Sequence, residues 1–238
     1  MQKASFIASK SLSDDELDIF FAQQSVTIIG FGSLLSKTSA QTTFPNLQNF
    51  REVSIQGYIR VFQHPAFIFF ERAIADRDKC AYSSLSAEQS STHSFMAVAF
   101  EISGQSKTDW LRREEEFQFD LVHYTGIFEE GYGLMCTSSE NDNNYILRWG
   151  RDKYDYMLAK HDLPSIWNKR DHRNILPCSV YLRHCVLAAK KCSDACYESF
   201  LNDTYLADQQ TTIRQYLEMH PEVMETLPPE SLLGRYSG

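Results

Sequence analysis

The sequence lacks the features that would place it in a membrane, on a nucleic acid or in a disulfide-stabilised scaffold. Its longest strongly apolar runs, residues 66–70 and 95–100, fall far short of the roughly 20 residues of a membrane-spanning helix. Acidic residues outnumber basic ones, 31 to 23, and the net charge of −8 disfavours nucleic acids and anionic membranes. We therefore expect no nucleic-acid or membrane partner.

The six cysteines are too few for a disulfide scaffold in a chain of 238 residues. Cys178, Cys185 and Cys192 recur every seven residues, a spacing typical of one buried helical face. The closest pair, Cys192 and Cys196, lacks the short spacer that zinc ligands favour. We expect small buried thiols in a reducing cytoplasm and no metal site.

The first residues, 1–10, are basic and rich in hydroxyl groups, which is a weak feature of a targeting peptide. Acidic residues interrupt that pattern from Asp14 onward. Ser13 and Glu16 have the spacing of a capping box that opens a short helix. We expect an N-terminal segment over residues 1–24 that contains this helix, and a targeting segment is the alternative.

The first half of the chain is rich in aromatic and β-branched residues, and the second half has helical patterns separated by prolines. The predicted strands comprise residues 25–30, 53–62, 66–70, 94–102 and 119–125. The predicted helices comprise residues 107–116 (capped by Thr108), 144–161, 178–191, 193–206 and 209–220. This order predicts an α+β protein with a core over residues 25–135 and a mostly helical part over 136–238 packed on it.

A glycine-rich segment, Gly30-Phe31-Gly32-Ser33, directly follows the first of the predicted strands. Because glycines remove side-chain bulk, backbone N–H groups there can approach a ligand and surround an anion. The segment lacks the further glycine and the lysine of a P-loop. An ordinary turn after a strand is the simpler interpretation, and an anion-binding loop is the alternative.

An acidic segment, Glu114-Glu115-Glu116, lies between a predicted helix and a predicted strand. Three successive carboxylates usually form a solvated turn. Bulky apolar residues flank these three, namely Trp110, Leu111, Phe117 and Phe119. A glutamate enclosed by aromatic rings beside other carboxylates has a raised pKa and can exchange a proton near neutral pH.

Three segments, in this order, resemble the γ-glutamylcyclotransferase-like superfamily, which includes the ChaC-type enzymes. Residues 28–35 are similar to the family's Tyr-Gly-Ser-Leu/Asn signature, and residues 57–62 to its glycine-aromatic-x-Arg-x-Phe strand. Residues 113–117 resemble the block in which an Arg-Glu pair supplies the catalytic carboxylate. The agreement of all three blocks is far more specific than any one of them.

The resemblance covers residues 25–130, and residues 177–216 are similar to longer plant and algal-type members. It implies a γ-glutamylcyclotransferase-like α+β fold: a mixed β-barrel with surrounding helices, a helical C-terminal extension and a substrate cavity at the barrel mouth. Enzymes of this family use no metal and no organic cofactor.

The resemblance also implies a cyclotransferase reaction on a small γ-glutamyl substrate. The α-amine of a γ-glutamyl amide attacks its own γ-carbonyl, and the products are 5-oxoproline and an amine, amino acid or peptide. By this resemblance Glu114 moves the proton, and Glu115 is the alternative because the alignment can shift by one residue. The implied substrate-binding loop comprises Phe31, Gly32, Ser33 and Leu34.

The sequence departs from the family pattern at two places. Phe31 stands where the family usually has tyrosine, and Glu115 and Glu116 stand where glycines often follow the catalytic glutamate. An acidic rim disfavours a polyanionic substrate such as glutathione unless arginines offset it. A catalytically inactive binding or interaction module on the same fold is therefore the alternative function.

Three other features have simpler interpretations than the functional ones. Cys136 and His123 would be the pair of a Cys-His hydrolase, but a core or solvent position is the expectation for both. Residues 167–173 offer arginines to a phosphate or a partner, yet between prolines they are expected to form an exposed loop. Residues 211–216 suit dimerisation or packing on the same chain equally well.

Overall fold

The computed structural model describes residues 10–238. Its strands are β1 (Lys10–Ser11), β2 (Ser25–Gly30), β3 (Gln48–Pro65), β4 (Ala81–Ser103), β5 (Gln118–Thr125), β6 (Glu130–Thr137), β7 (Leu176–Pro177) and β8 (Thr204–Leu206). Its α-helices are α1 (Asp14–Phe21), α2 (Lys37–Gln41), α3 (Phe67–Glu71), α4 (Lys107–Arg113), α5 (Asn143–Trp149), α6 (Arg151–Lys160), α7 (Ser179–Cys192), α8 (Asp194–Asn202) and α9 (Ile213–Met219).

Five strands close into a mixed β-barrel. Antiparallel pairs join β5 to β6, β2 to β4, β4 to β3 and β3 back to β5, while β2 and β6 are parallel. Because these pairings form a closed ring, the five-stranded sheet has no open edge. The α+β barrel with surrounding helices agrees with the predicted fold class.

The long strand β3 bends where its register with β4 shifts between Gln56 and Tyr58. Gly57 lies at that shift with φ 81, in the left-handed region that favours glycine. Such a bulge increases the local bend, so one long strand can pair first with one neighbour and then continue around the barrel. Gly57 begins the second segment that resembles the family, residues 57–62, and its role there is structural, because it shapes the barrel.

Arg60 anchors helix α8 to the barrel. Its guanidinium is buried and donates to the carbonyl oxygens of Ser199 in α8, at 2.7 Å, and Met96 in β4, at 3.1 Å. The rings of Phe95 and Phe200 face the guanidinium at 4.7 and 5.2 Å. Burial lowers the Arg60 pKa to about 10. These contacts give Arg60 a structural role between the barrel and α8.

The predicted strand over residues 66–70 is wrong, because this segment forms helix α3. Ala66 is extended and precedes the helix, and the first helical N–H, on Phe67, donates to Glu116 Oε1 at 2.9 Å. The group that satisfies this helix end lies 49 residues further along the chain. An apolar run as short as this one cannot reveal such a partner.

The other helix predictions are correct in the type of element but differ from the structure in where the helices begin and end. The predicted helix over residues 107–116 stops at Arg113, because Glu114 adopts φ −114 and ψ 48, and Ser106 rather than Thr108 precedes it. Gly150, with φ 91, divides the predicted helix over residues 144–161 into α5 and α6. The capping box of Ser13 and Glu16 is confirmed.

The last predicted helices are also shortened by tertiary pairing. The segment predicted as a helix over residues 193–206 ends as a helix at Asn202, and β8 then pairs in parallel with β3. The helix α9 begins later than predicted, at Ile213, with a capping box between Thr212 and Gln215. Ile213 and Tyr216 are buried, so this segment packs on its own chain.

The cysteines are free thiols with unequal burial. Cys178 and Cys185 are fully buried around α7, Cys192 is half-buried at the end of that helix, and Cys80 is exposed. Burial raises the Cys178 pKa to about 12. Within residues 10–238 no cluster of His, Cys, Asp and Glu is arranged to hold a metal, and no helix has the length and apolarity to cross a membrane. The targeting prediction for the first residues lies largely outside the described part.

Candidate active site

A cavity of about 180 Å³ opens beside the barrel where β3 gives way to α3. Its wall combines α3, the turn that follows α4, residues of α7, Ser33 from the loop after β2, and residues 235–236. Four carboxylates line it: Glu71, Glu114, Glu115 and Glu116. Four guanidinium groups line it as well: Arg72, Arg112, Arg113 and Arg235. The acidic turn and the glycine-rich loop, far apart in sequence, therefore share one enclosed space.

Glu114 lies where the acidic turn meets the loop after β2. Its Oε1 accepts from Arg113 Nε at 3.0 Å, and both side chains are mostly buried. The same guanidinium donates to Ser33 Oγ at 3.3 Å and to Thr43 Oγ1 at 2.8 Å. Arg113 thus fixes the Glu114 carboxylate relative to Ser33, which lines the same cavity.

Glu115 contacts helices α5 and α6. Its Oε1 accepts from Tyr145 Oη at 2.9 Å and forms an ion pair with Lys153. Its backbone carbonyl accepts from Trp149 Nε1 at 3.0 Å. Burial and the neighbouring Glu115 raise the Tyr145 pKa well above its usual range. These contacts hold Glu115 against α5 and α6.

Glu116 is the most buried of the three, with 7% of its surface exposed. Burial, followed by repulsion from Glu115 and Glu114, raises its pKa to about 7, although the N–H of Phe67 partly offsets this. One such glutamate was expected in this turn, but the resemblance implied the catalytic role for Glu114 or Glu115. The aromatic residue that follows it, Phe117, was the signal that identifies Glu116 as the enclosed one.

The four residues predicted to form the substrate loop have different surroundings. Ser33 lines the cavity, whereas Phe31 packs against Phe95 in the core, with ring centroids 5.8 Å apart, and Leu34 is buried. A Cβ on Gly32 would lie 2.9 Å from Tyr181 Oη, so a side chain at this position would have to displace the tyrosine hydroxyl. Their part in substrate binding stays a prediction.

The C-terminal half lines part of the cavity and packs against the acidic turn. Trp167 is buried rather than exposed, contrary to the expected loop, and its Nε1 donates to the Glu116 carbonyl at 2.9 Å. His172 is buried too. Tyr236 is also buried, and it lines the cavity together with Arg235. No local pattern predicts contacts between segments so far apart in sequence.

The Cys-His hydrolase alternative is not supported by the geometry. The ladder of β5 and β6 pairs Cys136 with Phe119 and His123 with Tyr132. The two candidate residues are therefore separated by about four positions along the ladder, roughly 13 Å at the rise of a strand. That separation rules out a direct hydrogen bond between their side chains.

No protein-family model and no curated protein matches this sequence. Among solved structures, a γ-glutamyl cyclotransferase is similar at 10% identity, with a TM-score of 0.40 over 60% of this chain and 89% of that one. An uncharacterized protein of Homo sapiens is similar at 11% identity and a TM-score of 0.41, over 49% and 68% of the two chains.

A protein of Arabidopsis thaliana, solved in solution, is similar at 10% identity and a TM-score of 0.38, over 59% of this chain and 90% of that one. Identities and TM-scores this low leave the description of the fold to the strand pairings themselves.

Proposed function

We propose that this protein cyclises a γ-glutamyl amide to 5-oxoproline and releases an amine, amino acid or peptide. The observation that carries the proposal is the meeting of Glu114 with the loop after β2 in one cavity, bridged by Arg113 and Ser33. These residues belong to the first and third segments that resemble the γ-glutamylcyclotransferase-like superfamily. A mainly buried carboxylate beside a small enclosed space suits a reaction that needs proton transfer and a folded substrate.

In the proposed reaction the Glu114 carboxylate takes a proton from the substrate's α-ammonium. The freed amine attacks the γ-carbonyl carbon, a C–N bond forms, and the carbonyl oxygen becomes an oxyanion. When the oxyanion collapses, the old C–N bond breaks and Glu114 returns its proton to the leaving nitrogen. The 5-oxoproline nitrogen keeps one of its three original protons, and the third passes through solvent to the released amine.

The resemblance and the contacts both favour Glu114 over Glu115 for this role, because Tyr145 and Lys153 already engage the Glu115 carboxylate. Glu116 is a further candidate, since a pKa of about 7 suits both taking and returning a proton. We place Glu116 behind Glu114 because its Oε1 already accepts from the N–H of Phe67 and so caps helix α3.

The test measures 5-oxoproline release by the purified protein from γ-glutamyl amino acids, γ-glutamyl amines and glutathione. We expect Glu114→Gln to lower kcat about 1000-fold, the usual range for loss of an acid–base group, and Glu115→Gln to change it less than about threefold. The exposed Glu140 supplies the control Glu140→Gln, which is expected to behave as the wild type.

A folded wild-type protein that releases no 5-oxoproline from any of these amides would contradict the proposal. The inactive binding module would then be favoured if the same amides still bound to both the wild type and Glu114→Gln. Loss of activity in Glu116→Gln alone would keep the reaction but move the proton transfer to Glu116.

A further inference from the structure

Two of the four cavity carboxylates are neutralised from the same helix. Glu71 forms an ion pair with Lys160, and Glu115 forms one with Lys153. Both lysines belong to α6, which packs beside the cavity. The acidic rim expected from the sequence is therefore largely offset by cations that the sequence places about 40 to 90 residues away.

The remaining charges leave the cavity with an excess of cations. Glu114 is paired with Arg113, and the raised pKa of Glu116 leaves it partly protonated near pH 7. Among residues 10–238, neither Arg72 nor Arg235 forms an ion pair with a carboxylate. Arg112 also lacks an ion pair among the described residues, but it is exposed, whereas Arg72 and Arg235 are half-buried. In a chain whose net charge is −8, two half-buried arginines without such a partner in one cavity are an unusual arrangement.

Arg72 and Arg235 are held close together by contacts of Tyr236 and Gly238. Arg72 donates to Tyr236 Oη at 2.6 Å, and the Tyr236 ring packs against His184 at 5.5 Å between centroids. The N–H of Gly238 donates to His184 Nδ1 at 3.0 Å. These contacts fix residues 236 and 238, and they hold the preceding residue, Arg235, near Arg72, whose charge repels it.

Bringing guanidinium groups together without an anion costs free energy. Burial, followed by repulsion from Arg72 and Arg113, lowers the pKa of Arg235. A carboxylate seated between Arg72 and Arg235 would remove this cost and would accept charge-assisted hydrogen bonds from both. The half-buried position of each side chain leaves room for such a contact.

We propose that Arg235, together with Arg72, forms an anion subsite that binds the carboxylate of the substrate's leaving group. This inference rests on the proposed function, in which Glu114 and the loop after β2 hold the γ-glutamyl half. The leaving half then faces α3 and residues 235–236. The preferred substrates are accordingly γ-glutamyl amides of amino acids or peptides, and γ-glutamyl amines without a carboxylate are poor ones.

The experiment compares γ-glutamylalanine with γ-glutamylethylamide, which differ only in the leaving-group carboxylate. Calorimetric titration is made with the wild type and with Glu114→Gln, in which neither amide is consumed. We expect γ-glutamylalanine to bind at least about tenfold more tightly, as one charge-assisted contact provides. Arg235→Gln should abolish this preference while changing the affinity for the ethylamide less than about twofold.

Two variants control for charge and for folding. Arg235→Lys keeps the charge and should retain part of the preference, and Arg170→Gln removes an exposed arginine outside the cavity wall and should retain all of it. Thermal unfolding of each variant shows whether the fold is kept.

The outcomes separate this inference from the proposed function. If Arg235→Gln abolishes the preference but no 5-oxoproline ever forms, the subsite stands and the cyclisation fails. If 5-oxoproline forms and Arg235→Gln weakens both amides equally, or weakens neither, the subsite is overturned and the cyclisation stands. Absence of binding of both amides to the wild type and to Glu114→Gln also overturns the subsite.

Discussion

Two carboxylates buried a few residues apart, Glu116 and Asp120, have opposite surroundings. Asp120, 2% exposed on β5, accepts hydrogen bonds from Ser11 Oγ and Tyr58 Oη, both at 2.7 Å, and from Thr137 Oγ1 at 3.0 Å. Glu116, on the turn before that strand, accepts from backbone N–H groups, among them that of Phe67, and faces two other carboxylates. Hydroxyl donors thus satisfy the Asp120 carboxylate, whereas ionisation of Glu116 still costs free energy.

The difference shows that burial alone does not identify a reactive carboxylate. A buried charge surrounded by hydrogen-bond donors stabilises the fold, because it joins β1, β3 and β6 to β5. A buried carboxyl group with few donors, beside a cavity, exchanges its proton near neutral pH. Glu116 is a carboxyl group of the second kind, whereas the Asp120 carboxylate stabilises the fold.

The largest effect on stability is expected for Asp120→Asn. The amide NH₂ would face hydroxyl donors and the charged hydrogen bonds would be lost, so we expect the free energy of unfolding to fall by about 3 kcal/mol. Urea denaturation measures this. The activity per folded molecule should stay within about twofold, and a large loss of activity at unchanged stability would contradict the structural role.

The next effect concerns the pH dependence of stability. The Glu116 pKa of about 7 lies above its ordinary value of 4.5, so the folded protein holds this proton more tightly than the unfolded chain. The free energy of unfolding therefore falls as the pH rises through this interval, by at most about 3 kcal/mol from this group.

Glu116→Gln removes that titration and keeps an oxygen that can accept from the Phe67 N–H. The variant should gain stability over the wild type as the pH rises from 4.5 to 7, the ordinary and raised values of this carboxyl group. Urea denaturation at several pH values compares the two proteins. A constant difference across this interval would contradict the raised pKa of Glu116.

The smallest effect is expected for Trp167→Phe. Phenylalanine keeps an aromatic ring beside His64, where the Trp167 ring stacks at 4.2 Å, but cannot donate to the Glu116 carbonyl. The loss of one neutral hydrogen bond should lower the free energy of unfolding by about 1 kcal/mol. Urea denaturation measures the change, and an increase in stability would contradict the role given to this indole.

Local sequence patterns predicted the parts of the fold that depend on local chemistry. The strand Ser25–Gly30 and the capping box of Ser13 and Glu16 need only neighbouring residues, and both were found as expected. Helix α3 was missed because Glu116 satisfies its first N–H from a distant turn. Propensity and periodicity carry no information about such a partner.

The candidate site was predictable to a similar extent. The acidic turn and the glycine-rich loop were identified as separate segments, but which glutamate lies nearest the loop depends on Arg113 and the end of α4. The contribution of Arg235 was out of reach, because it comes from a segment held by His184 and Arg72. Residue types could be predicted here, and their mutual distances could not.

The most direct test of the account is whether the substrate's own α-amine is the nucleophile. Alanine, glutamate and 5-oxoproline are measured after incubation of the wild type with γ-glutamylalanine and, separately, with its N-acetylated form, in which that amine is blocked. We expect equal amounts of alanine and 5-oxoproline from the first and no alanine from the second. Release of glutamate, or of alanine from the acetylated substrate, would contradict the cyclisation.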